Sequence, residues 1–116
     1  MIVAISVVST TPDAPLDTHF GRAEAFLLGD TDTGQRQMMA NPAANSSGGA
    51  GVQAAEFIIR QGAKAVISGS FGPKAYEVLA AANVSMYQAK SNSVDSLLRQ
   101  YQDGALEPVE SSASAD

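Results

Sequence analysis

The first apolar run of the chain constrains the fold more than any other part of it. Residues 2–8 (IVAISVV) are almost continuously apolar and rich in Val and Ile. A run of this length and composition is typical of a strand covered on both faces, because a strand with one wet face alternates between apolar and polar residues. The sequence therefore predicts an α/β fold in which this strand lies at the centre of a sheet, with helices on both faces.

The rest of the chain supplies four further strands and three helices. Residues 25–30 and 35–40 predict an antiparallel pair joined by a tight turn, and the second of these strands is short and polar enough to lie at an edge of the sheet. The later predicted elements are a helix over 51–61, a strand over 63–68, a helix over 73–83, a strand over 84–88 and a helix that begins after Ser93. The order β-β-β-α-β-α-β-α predicts a five-stranded mixed sheet in which strands one and four are neighbours.

Length and charge predict a single domain over residues 1–104. A chain of 116 residues with 45% hydrophobic residues can fill one core. The formal net charge is −5, but before Asp103 the 7 basic residues almost balance 8 acidic ones. Residues 105–116 are acidic and rich in Ser and Ala, so we expect them to form a disordered tail.

Composition also narrows the class of partner. A near-neutral body without a basic stripe argues against nucleic acid, whose phosphates are bound by clustered Lys and Arg. The chain has no cysteine, so it supplies no thiolate for a disulfide, a zinc ribbon or an iron–sulfur cluster. The apolar opening lacks a basic lead and is too short for a signal peptide or a membrane span, which predicts a cytoplasmic protein without a membrane partner.

Three glycine-bearing loops form the candidate binding site. They cover residues 16–22, 41–51 and 68–74, and glycine lets backbone amides approach a ligand closely because it has no Cβ. In open sheets, ligands bind beyond the carboxyl ends of parallel strands, where the winding direction changes. We therefore expect the loops after strands one and four to meet at such a point. Residues 46–51 have little to hold them down, and we expect a mobile flap beside the site.

Two side chains of the first loop have both a functional and a structural interpretation. His19 is the only imidazole, and it can ligate a metal or contact an anion; alternatively, it hydrogen-bonds a backbone carbonyl of its own loop. The planar fork of Arg22 can hold two acceptors of an anion, or it can form a surface salt bridge with Glu24.

The third loop offers similar alternatives. Lys74 follows Pro73 at a predicted helix start, where free amides and the helix dipole attract anions. Gly72 and Lys74 resemble part of a phosphate cradle, although the full spacing G-x-x-x-x-G-K-[ST] is missing. Phe71 can form an apolar wall for a large soft ligand, or it can link the loop to the core. The carboxylates are scattered through loops and one turn, so no catalytic constellation supports a hydrolase.

Taken together, these motifs resemble the dinitrogenase iron-molybdenum cofactor biosynthesis family. The likeness covers about residues 1–104 and depends on four motifs in order, namely DTHFGRA over 17–23, NPA over 41–43, GGAGVQAA over 48–55 and GPKAY over 72–76. The resemblance implies a ribonuclease-H-like three-layer fold without the acidic residues of the nuclease. It also implies a non-enzymatic protein that binds or carries a preformed molybdenum- or iron-containing sulfide cluster.

Within the family, this small cysteine-free chain is most similar to members associated with a mixed molybdenum–copper sulfide cluster. The resemblance implies that such a cluster, or an iron-molybdenum cofactor precursor, is bound non-covalently, and that MinD-type ATPases or cofactor-assembly proteins are partners. A thiometallate is a soft polyanion with its own sulfide ligands, so amides, cations and an apolar wall can bind it without cysteine. The residues expected to bind the cluster are Thr10, His19, Phe20, Gly21, Arg22, Asn41, Gly69, Ser70, Phe71, Gly72 and Lys74, and His19 is the one expected to contact metal.

Two other classes of function stay open at this point. The sequence Gly72-Pro73-Lys74 at a helix start suits an enzyme that acts on a phosphorylated small molecule. The polar edge strand over 35–40 suits a protein-interaction module.

Overall fold

A central strand organises the sheet. The computed structural model describes residues 1–109, which form one mixed sheet and three helices. The strands are β1 (Ile2–Val7), β2 (Ala25–Asp30), β3 (Arg36–Ala40), β4 (Ala63–Ser68), β5 (Ser85–Gln88) and β6 (Glu107–Pro108). The helices are α1 (Ala50–Arg60), α2 (Pro73–Ala81) and α3 (Val94–Gln102). The strand order is β3-β2-β1-β4-β5-β6, in which β1 and β5 both run parallel to β4 and the other pairs are antiparallel.

The burial of β1 follows from its position between two layers of helices. Val3, Ile5 and Val7 point to one face of the sheet and pack in the cluster that includes side chains of α3. Ala4 points to the opposite face, where the cluster includes side chains of α1 and α2. Successive side chains of a strand alternate between the two faces of the sheet. Because helices cover both faces at β1, most of its residues are apolar. The predicted α/β class, with helices on both faces, is confirmed.

The beginnings of α1 and α2 lie at the same edge of the sheet. Each helix runs antiparallel to β4, because α1 leads into β4 and α2 follows it. Both helices therefore start at the carboxyl ends of β1 and β4 and end at the opposite edge. They pack closely: a Cβ built on Gly51 would lie 3.2 Å from the Cβ of Ala75. This arrangement brings two helix N-termini to the edge of the sheet where the sequence predicts a site.

Residues 105–109 contain a sixth strand. The predicted number of five strands is therefore wrong, and so is the predicted disorder for these five residues. β6 pairs antiparallel with β5, and the Val109 amide donates to the Met86 carbonyl at 2.9 Å. Leu106 and Val109 are buried, so apolar contacts offset the cost of ordering this segment. A two-residue strand shows no period, which is why the sequence pattern did not reveal it. The rest of the predicted tail, residues 110–116, lies outside the described residues.

The other elements agree closely with prediction. α1 begins one residue earlier than predicted, α2 ends two residues earlier, and the edge position of β3 is confirmed. Asn83 adopts a left-handed backbone with φ of 60° just after α2, a conformation that Asn tolerates and that stops a helix. Over residues 1–109, none of the helices combines the length and the apolar composition that crossing a membrane requires.

Candidate functional site

The loops after β1 and β4 meet at the carboxyl edge of the sheet, as predicted. Near the ends of these strands, the buried hydroxyls of Ser6 and Ser68 lie 2.8 Å apart. The Ser6 hydroxyl also donates to the Asp17 carbonyl at 2.8 Å, and the Asp17 amide donates to the Ser6 carbonyl at 2.8 Å. The loop that carries His19 is therefore attached to β1 at its base.

Ser70 holds this loop on both sides of His19. Its hydroxyl donates to the Thr18 carbonyl at 2.9 Å, and its carbonyl accepts from the Phe20 amide at 3.2 Å. The Asp17 carboxylate accepts from the His19 amide at 2.9 Å. The backbone around His19 is thus fixed, while its side chain is 78% exposed.

Two glycines permit close contacts between backbone segments at the site. A Cβ at Gly69 would lie 2.6 Å from the Cα of Thr18, and one at Gly21 would lie 2.8 Å from the Cα of Gly51. Both obstacles are backbone atoms, which no side-chain rotation can move away. A larger residue at Gly69 would separate the two loops, and one at Gly21 would separate the His19 loop from the first turn of α1, so these glycines shape the site without needing an unusual φ.

Two clefts open beside the joined loops, and His19 and Ser70 line both of them. The first, here named the helix cleft, has a volume of about 650 Å³ and lies between the His19 loop and the beginnings of α1 and α2. The second, here named the α3 cleft, has a volume of about 860 Å³ and lies between the same loop, the segment after β5, and α3. Both volumes fall in the range of small-ligand sites, roughly 300–1,000 Å³.

The helix cleft has the electrostatic character of an anion site. Residues 49–52 at the beginning of α1 and 72–75 at the beginning of α2 line it, including the residue that precedes each helix, and neither helix has a side-chain cap or an acidic residue in its first turn. The amides of a first helical turn lack partners within the helix and carry the positive end of its dipole, although Pro73 at the start of α2 has no N–H to offer. Arg22 and Lys74 add two exposed cations to the same walls. Backbone and side chains therefore favour negative charge together.

Arg22 is directed at a carbonyl rather than at a carboxylate. Its guanidinium Nη1 donates to the Ser46 carbonyl at 2.7 Å. The predicted surface pair with Glu24 is not formed, and within residues 1–109 no carboxylate lies in salt-bridge contact with Arg22. The positive charge of Arg22 is therefore not neutralised by the described part of the protein.

Asn41 does not contact the cleft, in contrast to the prediction. Its side chain is buried, and its amide nitrogen donates to the carbonyls of Gly21 and Ala23 at 3.1 and 2.9 Å. Its amide oxygen accepts from the Ala43 backbone at 2.9 Å. All of these partners are backbone groups of the two adjoining loops, so Asn41 braces the loops that form the cleft, and both of its side-chain N–H donors are already used.

Two other predicted contacts lie elsewhere. Phe71 is completely buried, and its ring packs 5.3 Å from that of Phe20, so it links its loop to the core and forms no cleft wall. Phe20 is also buried but borders the helix cleft. Thr10 is exposed in the loop after β1 and lines neither cleft. The structure brings together the others: His19, Phe20, Gly21, Arg22, Ser70, Gly72 and Lys74 line the helix cleft, and Gly69 lines the α3 cleft.

Within residues 1–109, no backbone carbonyl is a partner of the His19 imidazole. Its Nδ1 lies 3.3 Å from the Thr18 hydroxyl and 3.7 Å from the Asp17 carboxylate. Across the described part of the chain, no cluster of three His, Cys, Asp or Glu side chains is placed to hold a metal ion. The described side chains therefore do not form a conventional metal site, and a metal at His19 needs further ligands from another source.

Sequence reasoning missed three polar residues that support the site. Ser6 and Ser68 join the two loops, and the Gln88 side chain donates to the Gly69 carbonyl at 3.2 Å. Ser6 and Ser68 did leave a signal, because each is a hydroxyl near the end of an otherwise apolar buried strand. Buried hydroxyls need hydrogen-bond partners, and the nearest available partners are the backbone groups of the next loop.

Replacing Asn41 by leucine is expected to destabilise the protein. The change keeps the side-chain volume but leaves two carbonyls and one amide without their partner, which costs about 1–3 kcal/mol in free energy of unfolding. Urea denaturation measures the loss. Asn45→Leu is the matched control, because Asn45 is exposed and should stay within about 0.5 kcal/mol of the wild type. Equal stability of the two variants would contradict the bracing role.

The fold and the cleft define a class: a small α/β protein with a cleft at the carboxyl edge of its sheet, lined by two helix N-termini and two cations. The family model described as dinitrogenase iron-molybdenum cofactor matches residues 1–104. The chain therefore belongs to the dinitrogenase iron-molybdenum cofactor family. An uncharacterized protein of Methanocaldococcus jannaschii is 33% identical over 98 residues, which covers 82% of this chain and 83% of that protein.

Two solved structures are similar to the chain over most of their length. The apo form of the orange protein from Desulfovibrio gigas has a TM-score of 0.86 and 28% identity, and the match covers 94% of this chain and 96% of that one. A candidate NifB protein from Thermotoga has a TM-score of 0.80 and 28% identity, with coverage of 92% and 91%. These similarities agree with the family assignment.

Proposed function

We propose that this chain binds a preformed, molybdenum-containing metal–sulfide cluster as cargo in the helix cleft and carries it without transforming it. The observation that carries the proposal is the convergence of two helix N-termini, Arg22 and Lys74 on one cleft. Neither helix places an acidic residue in its first turn. Membership of a family named for the iron-molybdenum cofactor and similarity to the apo orange protein support the same class of cargo.

The donor groups of the cleft suit a cargo that brings its own sulfide ligands. The chain has no cysteine, so it cannot supply the thiolates that usually hold iron–sulfur clusters. Amides and cations neutralise the charge of a thiometallate, and the apolar surface of Val52 and Pro73 in the cleft wall suits its soft, weakly hydrated sulfides. In this proposal His19 contacts the metal or a sulfide directly, because its exposed side chain stands on a fixed backbone.

The proposal extends to the identity of the cargo and to its partner proteins. The cargo is a molybdenum–copper sulfide cluster or an iron-molybdenum cofactor precursor, and cofactor-assembly proteins or MinD-type ATPases are its sources or recipients. The ribonuclease-H-like classification stays a prediction that the strand order supports. The cytoplasmic location also stays a prediction.

Reconstitution tests the proposal. The purified protein is incubated with tetrathiomolybdate and copper, or separately with an iron-molybdenum cofactor precursor, and then desalted. We expect visible absorption and bound metal to stay with the protein. Absence of retained metal in every reconstitution would overturn the carrier function. Inorganic phosphate is the comparison ligand, and a thermal shift with phosphate alone would favour the phosphate-binding alternative.

Lys74→Gln is expected to weaken tetrathiomolybdate binding about tenfold. Hydrogen bonds to charged groups are worth about 1.5–3 kcal/mol, and the first turn of α2 places this cation in the cleft wall. Titration by visible absorption at low and high salt measures the affinity. Lys64→Gln is the matched control, because Lys64 is exposed near the start of β4, at the end of the strand that lies away from the cleft. Equal losses in the two variants would show that only the net charge matters.

A further inference from the structure

The segment between β3 and α1 is attached to the body of the protein mainly at its two ends. Residues 44–49, here named the glycine segment, lie between Ala43 and Ala50, which are both buried. Most of the glycine segment is exposed, and Gly49 adopts a left-handed backbone with φ of 70° where α1 begins. The middle of the segment therefore has few packing contacts that would fix its conformation.

The hydrogen bonds of the glycine segment are local with one exception. The Ser46 amide donates to the Ala43 carbonyl at 3.0 Å, and the Ser46 hydroxyl donates to the Gly48 carbonyl at 2.6 Å. The remaining backbone bonds of the segment also join residues no more than four positions apart. Among the described residues, the bond from Arg22 to the Ser46 carbonyl is the one that reaches the segment from a distant part of the chain.

This single bond also restrains the side chain that the anion site uses. Arg22 lines the helix cleft, and only one of its five N–H donors is used by Ser46. A long arginine side chain loses considerable rotamer freedom when it is held in one geometry. The Ser46 carbonyl removes part of that freedom before a ligand arrives, and it leaves the other donors available.

We propose that the bond between Arg22 and Ser46 couples the order of the glycine segment to anion binding in the helix cleft. This inference depends on the proposed function for the identity of the anion. An anion that fixes Arg22 in its present rotamer strengthens the bond to Ser46 and orders the segment. By reciprocity, a more ordered segment holds Arg22 in place and raises the affinity for the anion. The glycine segment is therefore a positioning element for Arg22.

Hydrogen exchange of the apo-protein tests the tether independently of any cargo. Arg22→Met is expected to speed the exchange of the hydrogen-bonded amides of Ala44, Ser46 and Gly48 several-fold, because the single long-range restraint is lost. Arg60→Met is the matched control, since Arg60 is exposed in the last turn of α1, far from the cleft, and should leave these amides unchanged. Equal exchange in Arg22→Met and the wild type would overturn the tether.

Affinity for tetrathiomolybdate tests the coupling. A Cβ at Gly48 would meet no atom within 4 Å, and its φ lies outside the left-handed region, so Gly48→Ala restricts the segment without a clash. We expect about two- to fivefold tighter binding in the wild-type background and no gain in the Arg22→Met background. The same gain in both backgrounds, or none in either, would overturn the coupling. We also expect tetrathiomolybdate to slow exchange in residues 44–49 of the wild type.

The two proposals fail in distinguishable ways. A wild-type protein that retains no metal in any of the reconstitutions would overturn the proposed function and the coupling with it, while the apo exchange data would still decide whether Arg22 restrains the segment. A protein that binds tetrathiomolybdate with unchanged exchange in residues 44–49 would keep the proposed function and overturn the coupling.

Discussion

Gly69→Val is expected to abolish retention of a metal–sulfide cargo and to lower the free energy of unfolding by about 1–3 kcal/mol. A Cβ at this position would lie 2.6 Å from the Cα of Thr18 and 2.8 Å from its carbonyl oxygen. Because these are backbone atoms, the loop after β4 has to move away from the loop after β1. That movement breaks the two hydrogen bonds of Ser70 that hold the backbone around His19.

Metal analysis after desalting and urea denaturation measure the two effects of Gly69→Val separately. Gly72→Ala is the matched control for stability in the same loop. Its backbone has φ of −68° and ψ of 159°, which any residue adopts, and a Cβ there would meet no atom within 4 Å. We expect Gly72→Ala to unfold like the wild type. Wild-type stability and retention in Gly69→Val would show that the loops need not touch.

Phe71→Ala is expected to destabilise the protein by about 3–5 kcal/mol, the largest stability change that we predict. Phe71 is completely buried, and the rings of Phe71 and Phe26 both pack 5.3 Å from the ring of Phe20. Truncation removes the apolar contacts and leaves a cavity beneath the site. A phenylalanine that formed an exposed cleft wall would lose much less on truncation, so the experiment separates the two interpretations of this residue.

Denaturation with urea, monitored by far-UV circular dichroism, measures the effect of Phe71→Ala. Phe71→Leu retains most of the buried volume and should cost less than about 1.5 kcal/mol. Val8→Ala serves as a surface control, because Val8 is 47% exposed and its truncation should change stability by no more than about 0.5 kcal/mol. If Phe71→Ala lost cargo binding but kept normal stability, we would infer that Phe71 forms a wall of the cleft.

The helix cleft is formed largely by backbone, so the proposed binding of a charged cargo needs no cysteine. The helix cleft presents two helix N-termini; Gly69 lets the two loops touch, and Gly21 lets the His19 loop touch the first turn of α1. Amides that are fixed before binding need little reorganisation when an anion arrives. The two cations then strengthen a site that the fold has already formed, and removing one of them weakens binding without dismantling the cleft.

Much of the fold was predictable because buried strands and helices leave a recognisable pattern of apolar residues in the sequence. The apolar run of β1 indicated a strand covered on both faces, and the order of strands and helices predicted that β1 and β4 are neighbours. The meeting of their loops followed from topology alone, since the carboxyl ends of parallel strands share an edge. β6 left no such pattern, because its two residues are held by pairing with β5 and by burial of Leu106 and Val109.

The roles of single side chains in the loops were less predictable. Asn41 and Phe71 belong to the motifs that resemble the family, but both are buried and support the loops from behind. Arg22 bonds to Ser46, which lies 24 residues away along the chain, rather than to the nearby Glu24. A motif records that a residue type is present, but it does not record which way the side chain turns.

The sequence by itself determined the α/β class, the central strand and the loops that form the site. Those features follow from local composition and from the spacing at which apolar residues recur along a strand or a helix. Only the tertiary structure decided which polar groups stay available to a ligand. That outcome depends on partners far apart in the chain: the carbonyls of Gly21 and Ala23 accept both N–H donors of the Asn41 side chain, whereas residues of the first turns of α1 and α2 line the cleft.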